Sequence, residues 1–181
     1  LSENLQAVAK LTDTESYQAV FLVIPSQFLR AMLNDFKNLL PTNLPLIICS
    51  KGIELKTGKL LSEIVAEIMP DNPLLSLSGP NFASEIASNI SAITTLAGQE
   101  PELTKIKALF EPTKLTIEKA HDVKALCLLG ALKNIYAIGI GMAFGFKMAD
   151  SQIAAFFTIA TGEINQLLKY FAITEENMLK A

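Results

Sequence analysis

Tryptophan is absent from this chain of 181 residues, histidine occurs once and cysteine twice. With His121 as the sole histidine, Ser-His-Asp chemistry and histidine-rich metal sites have no support, and no metal is expected. Cys49 and Cys127 both sit in apolar runs, which argues against a disulfide framework. They read as small buried residues of a reducing, cytoplasmic setting. The net charge is −3 and there is no basic stripe, so nucleic acid is not expected as a partner. No G-x-G-x-x-G occurs, so a pyrophosphate-cradling loop is not among these residues. The opening LSENLQAVAK reads neither as a signal peptide nor as a start, and the closing EENMLKA shows no obvious stop; the chain reads as a fragment. Internal repeats and low-complexity segments are also missing.

What is present is apolar. Half of the residues are hydrophobic, which suits a globular chain with a sizeable core. The run from Ala125 to Phe146 is almost wholly apolar, and its strongly polar side chains are Lys133 and Asn134. An unpaired ammonium in apolar surroundings is costly, so Lys133 needs a reason. Three readings compete. It is a surface lysine on an otherwise buried helix, the common fate of a lysine. Or the run spans a membrane, for which it is just long enough. A central lysine opposes that by roughly 2.5–3.5 kcal/mol, and the flanking Lys124 and Lys147 set no orientation, so no membrane span is expected. Or a buried helix presents Lys133 to a cleft, where desolvation lowers its pKa and makes it a usable base.

In chain order, Gln6–Lys10 reads as a short strand and Asp13–Tyr17 as a polar turn or short helix. Ala19–Ile24 is a strand buried on both faces, followed by a helix capped by Ser26 and running to about Leu40. Pro45–Ser50 is a second buried strand. Thr57 opens an amphipathic helix with Leu60, Leu61, Ile64, Val65 and Ile68 on one face. Leu74–Ser78 is a third strand, with a helix from Asn81 to Ser88; Ser91–Ala97 is a fourth, with a helix from Pro101 to Phe110; Leu115–Lys119 is a fifth. This alternation over residues 1–120 predicts an α/β domain with a mostly parallel sheet. From His121 the rhythm stops. Asp122 caps the first of two long helices, at 122–146 and 151–170, and Thr174 starts a third, so residues 121–181 read as the start of an all-helical domain. No Pro/Gly linker marks the boundary, and the two parts are expected to pack closely.

Open α/β sheets bind ligands beyond the carboxyl ends of their strands. Three segments fall there. In Pro25-Ser26-Gln27-Phe28, Phe28 either lies against a flat ring or joins the helix core. In Lys51-Gly52, a cation with an approachable backbone suits an anion, or Lys51 is a solvated loop residue. Gly79-Pro80-Asn81-Phe82-Ala83 offers free N–H groups at a helix start, or is an ordinary turn capped by Asn81. Together with Lys133 they describe two lysines and a helix start around a small phosphorylated substrate.

The runs VIPSQF (Val23–Phe28), SKGIELKTGKLLSE (Ser50–Glu63), LSGPNFASEIA (Leu77–Ala87) and GALKNIYAIGIGMAFGF (Gly130–Phe146) carry a resemblance. In order and spacing the chain resembles NAD(P)-dependent glycerol-3-phosphate dehydrogenases over nearly its whole length. The resemblance implies a Rossmann-like domain, incomplete at its N-terminal side, before a helical substrate domain. It implies hydride transfer between sn-glycerol 3-phosphate and dihydroxyacetone phosphate with NAD or NADP, in a cytoplasmic homodimer that feeds glycerophospholipid synthesis. Lys133 becomes the general acid/base and Lys51 touches substrate and cofactor. Gly79, Asn81 and Asn134 line the substrate, and Phe28 and Ala83 the cofactor. Departures are the missing glycine-rich loop, the missing later aspartate and Ser-Arg-Asn run, and Ile153 and Ile159 where basic residues are common, which puts that helix's packing or dimer contacts in question. Two alternatives stand beside this reading: a related two-domain dehydrogenase acting on another 2-hydroxy acid, and a truncated homologue that only binds a phosphorylated ligand or dimerises.

Overall fold

In the computed structural model, which describes residues 5–11, 14–171 and 173, the apolar runs condense into one five-stranded sheet. Its strands are β1 (Val20–Leu22), β2 (Leu46–Ile48), β3 (Leu74–Ser78), β4 (Ala92–Ala97) and β5 (Leu115–Ala120), and they lie in that order. β1, β2 and β3 run parallel, with Leu22 opposite Ile48 and Ile48 opposite Ser76. β4 runs antiparallel to β3, with Ser78 opposite Thr95, and β5 is parallel to β4. The one reversal has a local cause. The helices α1 (Leu29–Phe36), α2 (Leu61–Ile68) and α4 (Glu102–Ala108) serve the parallel crossovers, whereas the β3–β4 connection holds only the five-residue α3 (Ala83–Ala87). A parallel return needs a crossover that spans the sheet.

Burial on both faces, expected of the first two strands, holds for β2; β1 lies at the sheet edge, so Phe21 is left 39% exposed. Leu46 and Ile48 pack into one cluster with Leu29, Leu33, Leu61, Ile64 and Val65, from α1 and α2. Ile47 faces the other way, into a cluster with Leu75, Leu96, Leu103 and Ile106, the last two from α4. Alternate side chains point to opposite faces, so a strand covered on both sides must be apolar at every position.

Two long helices follow the sheet, α5 (Val123–Gly145) and α6 (Asp150–Tyr170). Asp122 caps α5 as expected, its Oδ1 accepting from Ala125 N at 2.8 Å. α5 is the one helix among the described residues that is long and apolar enough to cross a membrane. In the fold its first half is core: Leu126 packs with Ala97 and Ala120, and Leu128 and Leu132 pack with Leu60 and with Leu168 of α6. Ile153 is also buried, so one of the two isoleucines that replace common basic residues serves packing, while Ile159 is exposed. The two cysteines are free, Cys49 half-buried and Cys127 buried. Burial pushes the Cys49 thiol up to about 11 and raises Cys127 too, which keeps both as inert thiols.

Several expected boundaries shift. Gln6–Lys10 forms no strand. Residues 26–28 form a 3₁₀ turn, and α1 begins only at Leu29 and ends at Phe36, not Leu40. Ser26 does not cap it; its hydroxyl packs against Gly52 and accepts a weak bond from Gln27 Nε2 at 3.3 Å. Thr57 does not open α2, because its hydroxyl is taken by the Glu54 carboxylate. α2 starts at Leu61, where Glu63 Oε2 accepts from Leu60 N at 2.8 Å. A 3₁₀ turn spans Thr14–Ser16; Asp13 and the helix start expected at Thr174 lie outside the described residues.

Ile47 is fully buried in an interior strand, in a cluster with residues of β3, β4, β5 and α4. Ile47→Ala is therefore expected to cost about 2–5 kcal/mol in urea unfolding. A loss under about 1 kcal/mol would mean the sheet is not packed on both faces as described.

Candidate active site

Because β1, β2 and β3 are parallel and adjacent, their carboxyl ends share one edge. The three segments singled out from the sequence follow those ends: Pro25–Phe28 after β1, Ser50–Gly52 after β2 and Gly79–Asn81 after β3. The first two are stitched together. Ser50 Oγ accepts from Ile24 N at 3.0 Å and lies within hydrogen-bond reach of Leu22 O and Ile24 O. Gly52 has φ +140°, and a Cβ there would fall 2.6 Å from Ser26 Oγ, so both conformation and space demand glycine. The third segment is backed by β4. A Cβ on Gly79 would lie 2.7 Å from Thr94 Oγ1 and 2.9 Å from Thr94 Cα.

α5 brings the second lysine to this edge. Lys133 Nζ lies 3.5 Å from Gly79 O, a loose contact. One turn earlier, Gly130 lets the helix approach: a Cβ there would lie 3.2 Å from Ser78 Oγ and 3.5 Å from Lys51 Cγ. The Lys51 stem thus crosses the helix at Gly130. Burial lowers the Lys51 pKa, and the nearby Lys133 charge lowers it further. A cavity of about 490 Å³ opens here, lined by Ser78, Gly79, Gly130, Lys133, Tyr136 and apolar residues of α5 and α6.

The structure thus gathers Lys51, Gly79, Asn81 and Lys133. Asn81 Oδ1 is buried and has no hydrogen-bond partner among the described residues. A buried acceptor without a donor is unfavourable, so this atom is suited to receive one from a ligand. Phe28 is 65% exposed at the end of the turn after β1, and Ala83 is exposed in the first turn of α3, at the same edge. Asn134 is exposed and does not line the cavity, since consecutive helical residues point about 100° apart. One expectation is corrected. Lys133 is exposed rather than held in a dry cleft, because its side of α5 meets the open cavity instead of packed side chains. Of these two lysines, Lys51 is the half-buried one.

Gln27, Gly130 and Thr94 were not foreseen from the sequence. Gly130 carried a signal, since a glycine inside an apolar helical run costs about 1 kcal/mol against alanine and asks for a packing reason. The partners of Gln27 and Thr94 lie elsewhere in the chain, and nothing local announces them.

The family model described as NAD-dependent glycerol-3-phosphate dehydrogenase N-terminus matches residues 1–104, and that described as the C-terminus of the same enzyme matches residues 122–181. The chain belongs to this family. Among the glycerol-3-phosphate dehydrogenases it resembles, the NAD(P)+ enzyme of Brucella ovis is 35% identical over 162 residues, covering 89% of this chain and 50% of the relative. That of Mesorhizobium japonicum is 37% identical over 161 residues, covering 88% and 47%. The crystal structure of glycerol-3-phosphate dehydrogenase from Coxiella burnetii superposes with a TM-score of 0.83 at 26% identity, over 91% of this chain and 51% of that one. The chain spans about half the length of the curated relatives it matches.

The two glycines with positive φ separate conformation from contact. Gly58, at φ +69°, has open space where a Cβ would go; Gly52 does not. Gly58→Ala is expected to cost about 1–2 kcal/mol for the left-handed backbone alone. Gly52→Ala should cost clearly more in the same unfolding assay, and equal losses would contradict the close seat on Ser26.

Proposed function

We propose that this chain supplies the substrate-reducing half of an NAD(P)-dependent glycerol-3-phosphate dehydrogenase. The observation that carries the reading is the convergence of two lysines at the edge where parallel strands end: Lys133 reaches Gly79 O, and Lys51 crosses α5 at Gly130, close enough to feel the Lys133 charge. Two cations beside a helix start suit a phosphorylated three-carbon substrate. We assign Lys133 as the group that exchanges a proton with the C2 oxygen. In the oxidising direction its neutral amine takes the hydroxyl proton; in the reducing direction its ammonium polarises the ketone and returns the proton. Lys51 offsets the substrate's negative charge. Gly79 keeps the turn free of a side chain and Asn81 lines the substrate; Asn134 lies outside the cavity lining, and its expected hold on a substrate oxygen rests on the family resemblance alone.

NAD or NADP contributes hydride transfer to or from C2 when bound. The residues present fit its nicotinamide end: Phe28 offers an exposed ring face, Ala83 a small side chain and Lys51 an ammonium, while the unpaired acceptor Asn81 Oδ1 is left to the substrate. The glycine-rich loop for the pyrophosphate is not among these residues. We further propose a division into a Rossmann-like part at 1–120 and a helical part from 121, a homodimer, a cytoplasmic location, and a role in glycerophospholipid synthesis.

The test is a graft of this chain into the corresponding half of the Brucella ovis relative. The graft is expected to reduce dihydroxyacetone phosphate with NAD(P)H. Lys133→Ala should lower turnover by about 10²–10⁴-fold with little change in cofactor affinity. Near-normal turnover in that variant would remove Lys133 from its role, and a preference for a non-phosphorylated 2-hydroxy acid would overturn the substrate assignment.

A further inference from the structure

Lys51 sits in a short turn whose neighbours on both sides are tied to one distant segment. On the N-terminal side, Ser50 Oγ accepts from Ile24 N. On the C-terminal side, Gly52 rests on Ser26. Beyond it, the Gln27 amide uses both ends on the backbone: Nε2 donates to Ile53 O at 2.8 Å, and Oε1 accepts from Leu55 N at 3.0 Å. Between those two points Glu54 is held by Arg30, whose Nε donates to Oε1 at 2.8 Å and Nη2 to Oε2 at 3.0 Å. This is a bidentate pair of the strong, directional kind. The Glu54 side chain is 8% exposed and also receives the Thr57 hydroxyl. Its carboxyl is held below the usual range by the Arg30 guanidinium, then by Thr57. The same guanidinium reaches Glu67 on α2, itself bonded to Lys59, so the anchor is continuous with two helices.

We propose that Gln27 and the Arg30–Glu54 pair are positioning residues for Lys51: they set where the turn after β2 sits, and with it the reach of the Lys51 side chain across Gly130 toward Lys133. The inference rests on the assignment of Lys51 to the substrate site. A network that merely stiffened α1 against α2 would have no use for Gln27. Apart from a weak bond to the adjacent Ser26 hydroxyl, the hydrogen bonds of the Gln27 amide go to the backbone two and four residues beyond Lys51 and not to α2. Between Lys51 and α2 the chain is otherwise tied by the Ile53–Leu60 bridge and by Glu54 N donating to Lys59 O at 3.0 Å. These join it to the start of α2 and not to the segment after β1, so loss of the anchor frees the side of the turn that faces that segment. A displaced ammonium loses both its contact geometry and its partial burial.

The experiment uses the whole chain with labelled lysines. The Lys51 side-chain signal, assigned by its disappearance in Lys51→Arg, is titrated with pH by NMR, and glycerol 3-phosphate binding is measured by calorimetry. The parent is compared with Gln27→Ala, Arg30→Met and the remote ion-pair variant Lys119→Met, which breaks the Lys119–Glu100 contact. Gln27 is exposed, so its truncation leaves the core intact. In the two anchor variants the Lys51 midpoint is expected to rise toward that of a solvated lysine, and glycerol 3-phosphate affinity to fall about tenfold, below the roughly hundredfold that an ångström of misplacement can cost. Lys119→Met should change neither. A Lys51 midpoint that stays at the parent value in both anchor variants overturns the proposal. If the parent shows no glycerol 3-phosphate binding, the substrate reading falls, and the Lys51 midpoint alone then decides the positioning role.

Discussion

Two ammonium groups brought to one edge of a sheet, one of them half-buried, form an arrangement that electrostatics opposes. Like charges repel, and burial penalises the charged form; both effects act on Lys51 in the same direction. Such a pair exists only where the backbone imposes it. Here the imposition starts with β2, whose three residues are buried on both faces and fix where the strand that leads to Lys51 ends. It comes equally from Gly130, which lets α5 lie close enough for the Lys51 stem to cross it.

The sheet topology converts these local facts into a site. Three parallel strands deliver three turns to one edge, and the antiparallel β4 then passes behind the third turn, where Thr94 leaves no room for a side chain on Gly79. The reversal at β4 is therefore a wall of the site as well as a detail of topology. α5 closes the side opposite β2: Leu126 and Leu128 fix the helix in the core, and Lys133, less than two turns further on, reaches the open cavity.

Much of this was legible in the residues. Apolar runs ended by Pro25 and Ser50 marked the first two strands, and Asp122 announced α5. Burial on both faces holds for β2 alone of the two, since β1 lies at the sheet edge and leaves Phe21 exposed. The cluster of Lys51, Gly79, Asn81 and Lys133 followed from placing those turns at strand ends. What stayed illegible depends on contacts between residues far apart in the chain. Ser26 and Thr57 look like helix caps, and each is instead occupied by a partner, Gly52 for one and Glu54 for the other. The exposure of Lys133 depends on which residues face its side of α5, and an apolar run alone says nothing about that. The Arg30–Glu54 pair joins residues 24 positions apart, with no periodicity to betray it.

The Gln27 anchor has an unequal evolutionary consequence for its two ends. Its amide grips main-chain atoms of Ile53 and Leu55, and those atoms are common to nearly every amino acid. Leu55, whose side chain is 85% exposed, is thus free to drift through almost any residue. Proline is the exception, since it lacks the N–H that Gln27 receives. Gln27 itself has no such latitude, because only an amide of that length both donates and accepts across the gap. Lineages that keep Lys51 in use should hold position 27 nearly invariant while position 55 wanders.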